Sequence, residues 1–234
     1  MRFAAEGVKK KGTTATSAYL SEQSSDKLQR FSFTDENLRI FALSRPKSGE
    51  MHNGDCYFMK KCDDRIIVAV VDALGHGKKA EEASRIAVEF MENSFHRNHM
   101  NIEDMIKGLH HALKGTRGAV IGISEISGEE LSFVGVGNIT AQIANEHIQA
   151  HIPSISGVLG WNLRYFRVFN YHFTHGWLVM NSDGIKHFIL SRYLSDDLRQ
   201  MAENIIDAHG KEDDDATILI LKKCQCGCGA DDNL

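Results

Sequence analysis

The sequence predicts an antiparallel α+β sandwich, on three observations. Apolar runs of strand length follow one another through hairpin-type turns. The helical periodicities fall into blocks instead of alternating with single strands, which disfavours a βαβ parallel sheet. One strand, Ile66-Ile67-Val68-Ala69-Val70-Val71, is continuously apolar and is expected to be buried on both faces.

The elements follow in order. Leu38 to Ser44, Cys56 to Lys61 and Arg65 to Val71 read as strands. A helix is predicted from Lys78 to His96, because Ala80, Ala83, Ile86, Ala87, Phe90, Met91 and Phe95 recur at helical spacing. A second runs from Ile102 to Leu113, capped by Asn101 and followed by Gly115. Strands resume at Ala119 to Ile126 and Leu131 to Val136, turned by Ser127-Gly128. Ile139 to Ala144 and His147 to Ile152 form a hairpin around Asn145-Glu146. Leu163 to Phe173 and Trp177 to Asn181 are strand-like. Helical stretches are expected at Ile185 to Leu190 and, opened by Ser195-Asp196-Asp197, at Ser195 to Ala208. Ala216 to Leu221 is the closing strand.

The chain has 234 residues, 42% apolar and 25% charged, which suits one sizeable domain with a real core. Its formal net charge of −4 argues against a nucleic-acid groove or a polybasic membrane patch. No apolar run reaches the ~18 residues of a membrane span, and Met1 to Lys11 lacks the apolar stretch of a signal peptide. Residues 1–30 are rich in Lys, Ser, Thr, Glu and Gln and read as a flexible arm or a docking extension. Residues 224–234 read as a flexible tail, leaving a domain over 31–223. Five cysteines without a secretion signal point to a reducing cytoplasm, with Cys56 and Cys62 as small apolar residues. Cys224, Cys226 and Cys228 crowd the tail; three thiols there do not close a tetrahedral metal site alone. The twelve histidines, His110-His111, His96 with His99 and His147 with His151 among them, lack further ligands at metal spacing and read as surface or core residues.

Four acidic clusters carry the chemistry: Gly54-Asp55, Asp72-Ala73-Leu74-Gly75-His76-Gly77, Ser182-Asp183-Gly184 and Asp213-Asp214-Asp215-Ala216-Thr217. Each lies at the end or start of a strand. Singly, each has a plain reading: Asp72 as a helix N-cap, Asp55 and Asp183 as turn residues, the triple aspartate as a solvated loop. Jointly, they suggest one shared centre. Converging carboxylates repel and resist ionising unless cations join them, and hard Mg²⁺ or Mn²⁺ prefers oxygen ligands. A two-metal hydrolase site is therefore expected.

In order and spacing these motifs resemble the metal-dependent serine/threonine protein phosphatases of the 2C type, in the SpoIIE-like branch. The resemblance runs from about Phe31 to Lys223. Finer features, Lys47-Ser48-Gly49-Glu50, Arg117-Gly118-Ala119, Val136-Gly137-Asn138 and Ile155 to Gly160, are similar to small phosphatases of the stressosome pathway. The resemblance implies a four-layer α-β-β-α sandwich of two mostly antiparallel sheets flanked by helices, with two divalent ions, Mn²⁺ or Mg²⁺, at one edge. Asp55 and Asp72 would hold or bridge the metals, the backbone carbonyl of Ala73 would add a ligand, and Asp183 and Asp214 would complete the set. Ala73 stands where glycine is usual, which a main-chain ligand tolerates. The register among Asp213, Asp214 and Asp215 is ambiguous by one, and Ala216-Thr217 selects Asp214.

A two-metal-activated water would then attack phosphoserine or phosphothreonine on stressosome or partner-switching regulators. His76 either protonates the leaving alkoxide or only orients its turn. Gly75, Gly137 and Asn138 are candidates for the substrate rim, and the 153–161 loop is expected to lie away from the metals. A non-catalytic phosphatase-fold binding module in the same pathway is the alternative, and a hydrolase of small phosphoesters a third reading. Partners of nucleic-acid or membrane type are not expected, and the expected location is cytoplasmic.

Overall fold

A computed structural model describes residues 15–18, 28–62, 64–97, 100–146 and 148–224. Most of the predicted arm (1–30), Cys226 and Cys228 of the tail, and His99 and His147 lie outside these residues, as does the side chain of His96.

Twelve strands and three helices make up the described fold. The first sheet has the order β1 (Ala15–Ala18), β4 (Asp55–Cys62), β5 (Arg65–Ala73), β6 (Ala119–Ser127), β7 (Glu130–Val136), β10 (Phe169–His172). The second runs β2 (Gln29–Thr34), β3 (Leu38–Arg45), β12 (Ala216–Lys223), β11 (Gly176–Asn181), β8 (Thr140–Ala144), β9 (Gln149–Ile152). Every pairing between named strands is antiparallel, as the hairpin pattern predicts.

Packing follows the apolar patterns. Ile66 to Val71 of β5 is buried throughout and feeds alternate side chains to two cores. Ile67, Ala69 and Val71 face α1 (Lys78–Arg97) and α2 (Ile102–Ala112). Val68 and Val70 face the second sheet, meeting Ile40, Met180 and Leu219. A third cluster joins the outer face of the second sheet to α3 (Leu198–His209) through Leu43, Ile218, Met201 and Ile205. Each such aliphatic side chain, fully buried, contributes about 1.5–3 kcal/mol. No helix among the described residues is long and apolar enough to cross a membrane.

Local signals act as expected at α2, where the Asn101 side chain accepts the backbone N–H of Asp104. In α3 the cap is Asp197, so the helix begins three residues after the predicted start at Ser195. Three expectations are corrected. Residues 185–190 are not helical: Ile185 bridges Gly210 and the Lys186 N–H donates to the His209 carbonyl, so pairing with the end of α3 overrides local propensity, and only a 3₁₀ turn forms at Leu190–Arg192. The strand predicted over 163–173 is confined to Phe169–His172, because Leu163, Phe166 and Val168 pack against the helix-facing core. Strand β2 at Gln29–Thr34 was not predicted; its only large apolar residues are Phe31 and Phe33, in an edge strand.

Candidate metal centre

The antiparallel pairing of β4 with β5 sets Asp55 directly across from Asp72. The β11–β12 pair of the other sheet ends beside them, with the Ser182 N–H bonded to the Thr217 carbonyl. Asp183 follows β11 and Asp214 precedes β12, so the two sheets each deliver acids to one corner.

These carboxylates feel one another. Burial, then the charge of Asp72, raises the Asp55 pKa well above the usual carboxylate range, although Ser182 Oγ donates to Asp55 Oδ2 at 2.5 Å. Burial and the charges of Asp183, Asp214 and Asp215 lift Asp72 to about 7, with Lys211 acting in the opposite direction. Asp183 is raised by burial and by Asp214. Among the described residues no donor hydrogen-bonds to the Asp72 carboxylate.

The triple aspartate divides its labour. Asp213 faces solvent. Asp214 is half-exposed, with Lys211 Nζ 3.7 Å from its Oδ2. Asp215 turns inward and accepts the backbone N–H groups of Lys47 and Gly54, both at 2.7 Å, tying the Lys47–Glu50 loop and the start of β4 to the start of β12. Asp215 therefore has a structural task, and Asp214 is the member beside Asp183. Behind the acids runs a buried polar chain. Asn53 Nδ2 donates to Ser44 Oγ (2.8 Å), Ser44 and Thr217 share a 2.5 Å hydroxyl contact, and the Thr217 N–H donates to Ser182 Oγ (3.0 Å). Asn53 Oδ1 in turn accepts the Asp55 N–H, and Ser84 Oγ donates to the Gly54 carbonyl. Asn53, Ser44 and Ser84 carried no sequence signal, since a short polar residue in or beside a strand looks the same whether it points to solvent or into a network.

Close approach fixes the turns. A Cβ on Gly184 would come 1.7 Å from the Asp215 carbonyl oxygen, so only glycine lets the Asp183 turn pass the triple aspartate. Gly75 has φ +82°, and the Asp72–Gly77 turn opens directly into α1. His76 is exposed on this turn, with Nδ1 2.9 Å from Glu50 Oε1. Ala73 is buried, and its N–H donates to the Gly54 carbonyl. Asn138 reaches inward, Nδ2 donating to Asp183 Oδ2 at 2.6 Å, while the Gly137 N–H donates to the Ile155 carbonyl. The 153–161 loop, expected away from this corner, instead flanks it: Leu159 pairs with Ala119, and Gly118 next to it accepts the Leu74 N–H.

Among the described residues no three His, Cys, Asp or Glu side chains form a group that could hold a metal ion as they stand. The donor set nevertheless fits a hard divalent cation. It is all oxygen, its carboxylates resist ionising together, and Asp72 has no donor to satisfy it. Mg²⁺ keeps several waters and needs only one or two carboxylates directly, so few side chains must meet at one point.

No family model matches the chain. It is 28% identical over 155 residues to the phosphoserine phosphatase RsbX of Bacillus subtilis (strain 168), a match spanning 64% of this chain and 76% of that protein. A chain solved in work on the bacterial stressosome, a modular system adapted to control secondary messenger signalling, superposes with a TM-score of 0.74 at 26% identity, covering 80% of this chain and all of that one. RsbX in complex with magnesium superposes with a TM-score of 0.76 at 21% identity, over 83% of this chain and all of its own. By sequence and fold together, the chain is similar to the PP2C-type phosphatases, in their SpoIIE/RsbX-like branch.

Proposed function

We propose that the protein is a cytoplasmic, Mn²⁺- or Mg²⁺-dependent phosphoprotein phosphatase. Its substrates would be phosphoserine or phosphothreonine on regulators of a stressosome or anti-sigma partner-switching module. The catalytic domain would span residues 31–223 as a four-layer α-β-β-α sandwich, flanked by an arm (1–30) and a tail (224–234). One observation carries the reading: Asp55, Asp72, Asp183 and Asp214 come from four separate segments and two sheets to one corner, where Asp72 opposes ionisation of Asp55, and Asp183 and Asp214 that of Asp72. The similarity to RsbX supports the choice of phosphoester and of signalling partners.

Asp55, Asp72, Asp183, Asp214 and the carbonyl of Ala73 would hold two divalent ions. Bound there, such ions offset charge on phosphoryl oxygens and lower the pKa of water. The chain's own groups do the rest. Ser182 and Asn138 hold the Asp55 and Asp183 carboxylates at fixed angles. Asp215 clamps three loops so that the acids keep their spacing. Glu50 fixes the His76 ring through Nδ1, which leaves Nε2 to protonate the departing alkoxide. Gly75, Gly137 and Asn138 would line the rim that a phosphorylated side chain enters.

The test is phosphate release from a phosphoserine protein with Mn²⁺, Mg²⁺ or chelator, alongside calorimetric titration of metal. Metal-dependent release, abolished in Asp72→Asn and Asp183→Asn, is the expected result. Full activity in both variants sinks the assignment, and metal binding without any release would leave a binding module on a phosphatase fold.

A further inference from the structure

The chain's net charge of −4 repels a dianionic phosphate at long range. A cation at the rim would offset that repulsion, and one is present. The loop after α2 carries Arg117 against the Asp72 turn: the Leu74 N–H donates to the Gly118 carbonyl at 3.1 Å. A Cβ on Gly75 would stand 2.7 Å from a guanidinium nitrogen of Arg117. Arg117 is exposed and makes no ion pair among the described residues. Lys211, by contrast, is taken up by Asp214.

Beside Arg117 stands Trp161, 65% exposed. Its Nε1 donates to the Thr116 carbonyl at 3.0 Å, and its ring edge lies against Gly118. The loop that carries it is fixed at both ends. Leu159 and Ala119 exchange backbone bonds of 2.8 and 3.1 Å, and Val158 and Asn162 exchange two of 2.9 Å. The indole is thus held rigidly and left facing water beside the 116–118 loop, which bonds the turn after Asp72, an arrangement that loses little entropy when a partner covers it.

We propose that Arg117 and Trp161 form the docking edge for the phosphorylated segment of a protein substrate. The guanidinium takes non-bridging phosphoryl oxygens through paired N–H groups, as its planar fork allows. The indole takes an apolar side chain that flanks the phosphoserine. This rests on the phosphatase reading and names the surface that would grip its phosphorylated polypeptide, since a free phosphomonoester has no neighbouring residue to lay on the indole.

The test uses the full chain with a short phosphoserine peptide bearing leucine on both sides, its unphosphorylated counterpart, and p-nitrophenyl phosphate. Trp161→Ala should cut kcat/KM on the phosphopeptide about tenfold more than on the small ester, with Trp161→Phe retaining most of the preference. Arg117→Ala should raise KM for both substrates about tenfold, partly restored in Arg117→Lys. A second readout needs no turnover. In chelator, the phosphopeptide should change the tryptophan fluorescence of the wild type more than the unphosphorylated peptide does, and this change should vanish in Trp161→Phe. Wild-type hydrolysis with an unaltered preference in Trp161→Ala and no fluorescence change overturns the docking edge. A fluorescence change without hydrolysis of either substrate upholds the docking edge and overturns the phosphatase reading instead.

Discussion

Asp72→Asn should stabilise the metal-free protein while abolishing the metal binding proposed for it. In the fold Asp72 is raised from an ordinary 3.8 to about 7 by burial and by Asp183, Asp214 and Asp215. A carboxyl raised on folding favours the folded state most when protonated. Its full contribution is present below 3.8 and is lost as pH climbs through about 7. Each tenfold change in proton affinity is worth about 1.4 kcal/mol, so ionised Asp72 costs the fold at most about 4 kcal/mol. Relaxation of the exposed part of the corner lowers that to about 1–2 kcal/mol. The substituted amide keeps the shape and removes the charge, and it orphans no partner, since no donor serves this carboxylate. The assay is urea unfolding of chelator-treated protein at about pH 8 and about pH 5. Wild type should gain stability on acidification. The variant should be the more stable at the higher pH and show a smaller gain on acidification. An Asp72→Asn protein less stable than wild type at the higher pH, with an unchanged pH dependence, would refute the idea that these acids are held together against their own repulsion.

Other outcomes follow from the same corner. Gly184→Ala forces a methyl to 1.7 Å from the Asp215 carbonyl oxygen and should cost about 3 kcal/mol with loss of metal binding; an unchanged melting temperature would contradict the close approach. Ser182→Ala removes the donor to Asp55 and the acceptor of the Thr217 N–H and should cost about 1–3 kcal/mol in urea unfolding, which a neutral result would disprove. Lys211→Met removes the cation that offsets Asp72, Asp183 and Asp214, so Mn²⁺ should bind more tightly by calorimetry; equal or weaker binding would show that Lys211 does not compete for the site.

The parts of the fold legible in the sequence were those whose residues answer to one partner surface. The apolar run of β5 is buried as its pattern dictates, and of the α1 stripe Ala80, Ala83, Ala87 and Met91 are buried, with Ile86 and Phe90 packed partly buried against the same core. The acidic motifs announced themselves because each ends or opens a strand, and a strand end is where a rigid backbone can present a carboxylate. Residues 185–190 carried a helix-like pattern, yet their backbone bonds go to α3, a partner that local sequence cannot specify. Strand β2 was hidden because an edge strand needs only Phe31 and Phe33 to anchor it. The difference between Asp214 and Asp215 depends on two N–H groups more than 160 positions away in sequence, so adjacency alone could not separate the half-exposed acid from the clamp.

The chain of hydroxyls from Ser44 through Thr217 and Ser182 to Asp55 joins one layer to the other at the place where the acids meet. The corner is therefore a gauge of how the two layers are seated. A change deep in the shared interior, such as thinning Met180 or Leu219, would alter the spacing between the acids of the two layers without touching any of them. With the proposed ions in that corner, tight ion binding would report correct seating of one sheet on the other.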